Sequence, residues 1–242
     1  MRLAALLMLS LAAEAADPAR APVVAELFTS EGCSDCPPAD RLLENLDRTQ
    51  PVAGARIIVL SEHVDYWNQL GWRDPFSAPQ YSRRQERYAR LLGGDVYTPQ
   101  MVVDGREEVL GNDGSAVLAA IARAARRPKA GVRIGEARRG DAAAMVPLSI
   151  PALEKGRGEV WVALADERGR SSVNRGENAG RTLAHVAVVR DLVKVGAVSR
   201  TEGMERTVRV SGKLPPPGPA RVIVFLADDG GAILGAAAAE LR

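Results

Sequence analysis

The sequence predicts a mixed α/β unit, a mixed sheet flanked by helices, followed by an all-β antiparallel, sandwich-like unit. Strand-like apolar runs alternate with amphipathic helical stretches as far as Lys129, and only short β-compatible runs follow Val132. Both cysteines of the chain fall in one Cys-x-x-Cys motif between the first strand and the first helix. With 242 residues, 46% of them hydrophobic and 26% charged, the composition is that of an ordered protein. At about 150 residues per domain the length suits one large domain or two ordinary ones. The 32 basic and 30 acidic side chains nearly cancel, so no broad electrostatic footprint for nucleic acid is present.

The first strand is Val23 to Phe28, and a helix follows the cysteines through about Leu46, with Leu42, Leu43 and Leu46 at helical spacing. Asp40 is placed in its first turn, where the positive helix end favours an acid. Arg56 to Leu60 is a β-branched run suited to a buried strand. Residues 78–92 read as a second helix closed by Gly93-Gly94. Val96 to Val103 is a strand broken by Pro99, Asp104-Gly105 turns into a short strand through Leu110, and Ser115 to Arg127 is a third helix. Its basic end, Arg123 to Lys129, reads as the charged terminus leading to a linker. The later strands are Met145–Ile150, Glu159–Ala165, Leu183–Val189, Val193–Val198, Arg206–Val210, Arg221–Ala227 and Ala232–Leu241. The expected division is therefore 22–129 and 130–242.

At the N-terminus, Met1-Arg2, the apolar run Leu3 to Ala13 and the small-x-small site Ala13-Glu14-Ala15 read as an export signal over residues 1–15, against the plainer alternative of a short packed helix. The run is shorter than the about 20 residues a bilayer requires, and no other stretch comes close, so no membrane span is expected. Export implies a periplasmic or secreted location, where thiols meet oxidising conditions.

Cys33 and Cys36 carry the chemistry. Thiol–disulfide exchange needs two thiols close enough to bond, the first accessible and the second able to resolve a mixed disulfide. A helix N-terminus stabilises a thiolate, which makes Cys33 the nucleophile and Cys36 the resolving thiol. Other readings compete. A structural disulfide over so short a loop is worth only about 2 kcal/mol by the chain-entropy argument. A structural zinc site takes four ligands, and the only histidines, His63 and His185, fall in different expected domains. Two inert buried thiols are the third. Pro37 and Pro38 disfavour α geometry before them, which predicts a helix that begins a turn late. Asp35 opposes thiolate formation, so moderate or reducing character is expected. Pro99 is either an ordinary edge-strand proline or a cis proline that leaves Thr98 free to pair with a substrate chain beside Cys33.

The strand–Cys-x-x-Cys–helix opening, with a later Thr98-Pro99 leading into an apolar strand and an Asp-Gly turn, resembles the thioredoxin fold. More narrowly, Glu26 to Cys33, Cys36 to Asp40, His63 to Trp67 and Tyr97 to Gln100 resemble an uncharacterised secreted bacterial family, domain of unknown function 1223, which is thioredoxin-like. Gly176-Glu177-Asn178 and His185 to Arg190 extend the resemblance through most of the chain. It departs from ordinary thioredoxins in having Gly32 where a tryptophan usually precedes the first cysteine.

The resulting expectation is an exported thiol–disulfide oxidoreductase acting on protein thiol or disulfide clients through Cys33 and Cys36, with Thr98 and Pro99 aligning the client, and with no cofactor. Two alternatives stand beside it. One is a Cu(I)-handling envelope protein using Cys33, Cys36 and His63, since Cu(I) accepts sulfur and imidazole. The other is a non-enzymatic envelope interaction module. The aromatics Tyr66, Trp67, Trp72, Phe76 and Tyr81 form either a client-facing wall or the core of a helical insertion. Residues 174–181 read as a solvated polar loop, with a gathered polar site of Arg175, Glu177, Arg181, His185 and Arg190 as the bolder alternative.

Overall fold

The computed structural model describes residues 20–242, so the expected export signal over 1–15 lies outside the described residues. The first half runs β1 (Ala21–Thr29), α1 (Cys36–Thr49), β2 (Ala55–His63), a 3-10 turn at Asn68–Leu70, α2 (Pro79–Leu92), β3 (Gln100–Val103), β4 (Glu107–Leu110) and α3 (Gly114–Ala125). The second half holds β5 (Arg133–Ile134), β6 (Arg138–Arg139), β7 (Ala144–Ile150), β8 (Arg157–Ser172), β9 (Thr182–Ser199), β10 (Met204–Val210), β11 (Ala220–Ala227) and β12 (Ile233–Glu240). No helix among the described residues is long and apolar enough to cross a membrane.

The expected boundary at 129/130 does not divide the sheet. One eight-stranded sheet runs β12-β11-β8-β9-β2-β1-β3-β4 and takes strands from both halves, while β10-β7-β5, with β6 also on β7, form a second sheet. Within the large sheet β1 is parallel to β2 and antiparallel to β3, and β9 meets β2 in parallel at Ser61↔Val188.

The physical reason lies in how the later strands are buried. In β11, Val222, Val224 and Leu226 face the second sheet, against Val146, Leu148 and Val208. The alternate residues Ile223, Phe225 and Ala227 face the other way and share a core with Val24, Ile58, Leu60 and Tyr81 of the first half. A strand covered on both faces reads as a continuous apolar run, as here. On the remaining face, Leu43 and Leu46 of α1 and Val117 and Ile121 of α3 cover Val23, Ala25, Ile57, Val59 and Met101.

Residues 182–199 form a single strand where two were expected, and Ala187 adopts a left-handed φ of 48° within it. This ends the alternation expected of Leu183, His185, Ala187 and Val189, because His185, Val186, Ala187, Val188 and Val189 are all buried.

Two buried polar ties bind the halves and the faces. Asp104, in the predicted Asp-Gly turn, accepts from Val24 N at 2.9 Å, donates its own N–H to Val24 O at 2.8 Å, and accepts Ile233 N at 2.8 Å on its carbonyl. Its second carboxylate oxygen pairs with Lys129, which is therefore not a solvated linker residue. Beside α2, Arg84 lies 2.6 Å from Glu26 and 3.5 Å from Glu62, and Tyr88 donates to Glu26 at 2.6 Å. The Arg84 guanidinium also stacks over the rings of Tyr88 and Phe225 at 5.0 and 5.1 Å, within cation–π range. Neither carboxylate oxygen of Glu62 has a hydrogen-bond partner, and burial pushes this carboxyl well above the usual range, with Arg84 offsetting only part of the shift.

Gly105 has φ +61°, and a Cβ there would lie 2.0 Å from the carbonyl oxygen of Gly231. Gly105→Ala is expected to cost about 2–4 kcal/mol in urea unfolding, as a strained φ and a backbone clash act together. Glu62 holds its proton more tightly folded than unfolded, so stability is full below its unfolded pKa and falls as pH rises. Each pH unit over which only the folded state keeps that proton costs about 1.4 kcal/mol. Glu62→Gln should flatten this decline in unfolding measured across pH, and an unchanged slope would refute the assignment.

Candidate functional site

The chain leaves β1 at Thr29 and turns through Ser30 to Asp35 before entering α1. Cys33 N donates to Ser30 O at 3.2 Å and Cys36 N to Cys33 O at 3.3 Å. Cys33 and Cys36 are joined by a disulfide. The helix begins at Cys36, not a turn later as expected, because Pro37 and Pro38 occupy first-turn positions whose N–H groups have no intrahelical acceptor to lose. Asp40 consequently lies beyond the first turn, and it is buried.

Cys33 was expected to be accessible, yet it is 1% exposed and Cys36 is 0% exposed, although the intervening Ser34 and Asp35 are open to solvent. Against this turn lies the tip of the β8–β9 hairpin. Residues 173–181 close on themselves through Val173 N to Arg181 O at 2.9 Å and Gly180 N to Val173 O at 2.8 Å. From this tip the Asn178 side-chain amide donates to Glu31 O at 2.9 Å and to Cys33 O at 2.8 Å. Glu177 accepts from Ser34 N at 2.9 Å, and the Ser34 hydroxyl together with this N–H holds its carboxyl below the usual range. Arg181 donates to the Asn178 side-chain oxygen at 2.7 Å. The loop expected to be solvated thus places Asn178 at 0% exposure, while Arg175 stays exposed. Arg190 goes elsewhere, to Asp166 at 2.6 Å, so the five residues weighed as one polar site do not gather.

Beneath the turn lies a buried cluster of acids and histidines. Glu31 receives Trp72 Nε1 at 2.9 Å, the hydroxyl of Ser171, and His185 Nε2 at 3.2 Å. His185 Nδ1 lies 3.6 Å from Asp40, an ionic contact beyond hydrogen-bond length. His63 Nδ1 is 2.7 Å from Asp74, whose carboxylate also accepts from Glu31 N and Phe76 N, each at 2.9 Å. The rings of His63 and His185, expected in separate domains, meet edge to face at 4.6 Å, because the long hairpin carries His185 across to the end of β2. Burial alone would drive the proton off His185. The carboxylates of Asp40 and Glu31 overcome it and push the pKa up to about 10. Burial would likewise raise Asp74, but the His63 contact and the two N–H donors hold it below the usual range.

Thr98 and Pro99 stand beside the turn through Trp67. Trp67 Nε1 donates to Thr98 Oγ1 at 2.9 Å, and a Cβ on Gly32 would lie 3.1 Å from Trp67 Cβ. Gly32 thus lets this tryptophan pack where a side chain would crowd it. The Thr98–Pro99 peptide is cis, and β3 begins only at Gln100, so Pro99 removes no ladder donor. Of the aromatics, Phe76 and Tyr81 are core residues, while Tyr66, Trp67 and Trp72 are half-buried and hydrogen-bonded around the site. The Cu(I) set is not assembled: the two sulfurs are bonded to each other and His63 is turned to Asp74. Among the described residues no three His, Cys, Asp or Glu side chains take up a metal-holding arrangement.

Glu31, Asp74 and Asn178 are given no role by the sequence. Glu31 adjoins the motif and Asn178 stands in the Gly176-Glu177-Asn178 stretch of the resemblance, whereas Asp74 reaches the site with no signal.

Fold and site together define a mixed α/β protein in which a disulfide-bonded Cys-x-x-Cys turn rests on buried acid–histidine pairs. The chain belongs to the family described as "Protein of unknown function (DUF1223)", which matches residues 24–227. It is similar to the crystal structure of protein AGR_C_4864 from Agrobacterium tumefaciens, at 30% identity and a TM-score of 0.67, covering 92% of this chain and 94% of that one. A superoxide reductase (neelaredoxin) from Archaeoglobus fulgidus shares 11% identity over 48% of this chain and 88% of its own, with a TM-score of 0.22, too slight a likeness to carry an argument. No curated protein matches.

Because His185 is held protonated when folded, its stabilisation is complete below about pH 6.5 and is lost as pH rises toward about 10. Within that window the slope from this one proton is about 1.4 kcal/mol per pH unit. His185→Gln should be less stable than wild type at pH 6.5 and should lose less on titration to pH 10, as read by urea unfolding at each pH.

Proposed function

We propose that this protein is an exported thiol–disulfide oxidoreductase with a thioredoxin-like first half. The order β2-β1-β3-β4, with α1 leaving the cysteine turn and Thr98-Pro99 leading into β3, supports that comparison. The observation that carries the reading is the Cys33–Cys36 disulfide at the N-terminal end of α1, beside Thr98 through Trp67.

The chemistry balances as follows. A client thiolate attacks Cys33 Sγ, the Cys33–Cys36 bond breaks, and Cys36 leaves as a thiolate at the positive end of α1. The second client thiolate then attacks the client sulfur of the mixed disulfide and expels Cys33. The client is oxidised by two electrons and the pair is reduced by two; the reverse sequence reduces a client. The carboxylate of Asp35 opposes thiolate formation, which favours moderate or reducing character. Clients are proteins bearing thiols or disulfides, met in the periplasm or outside the cell.

The 1% exposure of Cys33 favours a second reading, a permanent structural bridge. Equilibration of the pair in glutathione or dithiothreitol buffers separates the two. A structural bridge falls below about −300 mV, whereas an exchanging pair lies above it. Cys33→Ser is expected to abolish reduction of a disulfide substrate, and Cys36→Ser to accumulate mixed disulfides with clients. A wild type without exchange, together with a Cys36→Ser variant that captures nothing, would overturn the proposal.

A further inference from the structure

We infer that Glu177 and Asn178, at the tip of the β8–β9 hairpin, are positioning residues that hold the cysteine turn closed by occupying the place of a client chain. The inference rests on the exchange reading above. The three hydrogen bonds that these side chains make with the turn all go to its backbone. Asn178 donates to the carbonyls of Glu31 and Cys33, and Glu177 accepts from the N–H of Ser34. Donation to two carbonyls and acceptance from one N–H is the pattern that an extended polypeptide presents through its own N–H and C=O groups. The tip therefore stands in for a substrate strand, and the substrate class is an extended peptide segment that replaces it.

The covering tip is held by few elements. Asn178 is oriented by Arg181, and Gly176, at φ +77°, packs against Trp72, which itself donates to Glu31. The last hairpin pair is Ser172↔Thr182, so residues 173–181 lie outside the ladder. Displacing them uncovers Cys33 without breaking a sheet hydrogen bond. Their departure takes the Asn178 amide from Glu31 O and leaves Cys33 O with only the 3.3 Å bond from Cys36 N, and a client backbone replaces the lost donors as it arrives.

The test uses the oxidised full-length chain and measures the rate of disulfide reduction by dithiothreitol, with nascent thiols trapped by iodoacetamide, alongside the pair's reduction potential and the melting temperature. Asn178→Ala is expected to speed reduction about tenfold, the scale of one or two lost hydrogen bonds. Glu177→Gln, on an exposed side chain, should speed it by a smaller factor and keeps the test alive if the Asn178 variant does not fold. Gly105→Ala serves as a variant destabilised away from the tip. Rates in both tip variants equal to wild type, or no faster than in Gly105→Ala, would overturn the inference. Should the tip variants accelerate reduction while no variant exchanges with a disulfide-bonded peptide, the cover stands and the oxidoreductase reading falls. If wild type exchanges with that peptide as fast as the tip variants do, the reading stands and the cover falls.

Discussion

The contact between Glu31 and His185 is the constraint on which the site depends. A carboxylate taken fully out of water is stable only when paired and hydrogen-bonded. Glu31 meets that demand with partners from three distant places: Trp72, Ser171 and His185. Since Glu31 is two residues from Cys33, satisfying it fixes the cysteine turn against the β8–β9 hairpin. Asp40, one helical turn beyond Cys36, contributes the second negative group to the same imidazole. One buried cation thus ties both flanks of the disulfide to the second half of the chain.

That arrangement explains why the two halves share a sheet. The near part of the hairpin builds β8 and β9 into the large sheet, where Trp161 pairs with Lys194 and Ala163 with Leu192. The far part leaves it and runs over α1, with Arg168 meeting Glu44 at 2.6 Å on the way. A separate second domain would leave Glu31 with Trp72 alone, Asp40 without its imidazole and the Asn178 amide without its two carbonyls. Joining the halves and closing the site are one structural event, reinforced by Asp104 and by the apolar layer of Val24, Phe225 and Tyr81.

Much of the fold was legible because local patterns decided it. The helix 78–92 and the strands at Arg56, Met145 and Arg221 follow from apolar spacing, and Asp104-Gly105 from turn chemistry. The misplaced features share a cause: they depend on long-range partners. Pro37 and Pro38 look like helix breakers until the helix is known to start at Cys36. His63 and His185 look unrelated because nothing local shows that a hairpin spans the distance. Residues 174–181 carry the composition of a solvated loop, and Asn178 is buried only because the cysteine turn offers it two carbonyls. Local propensity assigns elements, whereas burial of a polar residue is a property of the assembled neighbourhood.

The separation of 145 residues between Cys33 and Asn178 also orders events in time. Translation at about 5–20 residues per second delivers the cysteines roughly 7–30 seconds before the hairpin tip exists. Throughout that interval the pair is uncovered, whatever its fate in the finished molecule. The nascent chain and the mature protein therefore present the same two sulfurs to their surroundings in opposite ways, first open and then sheltered.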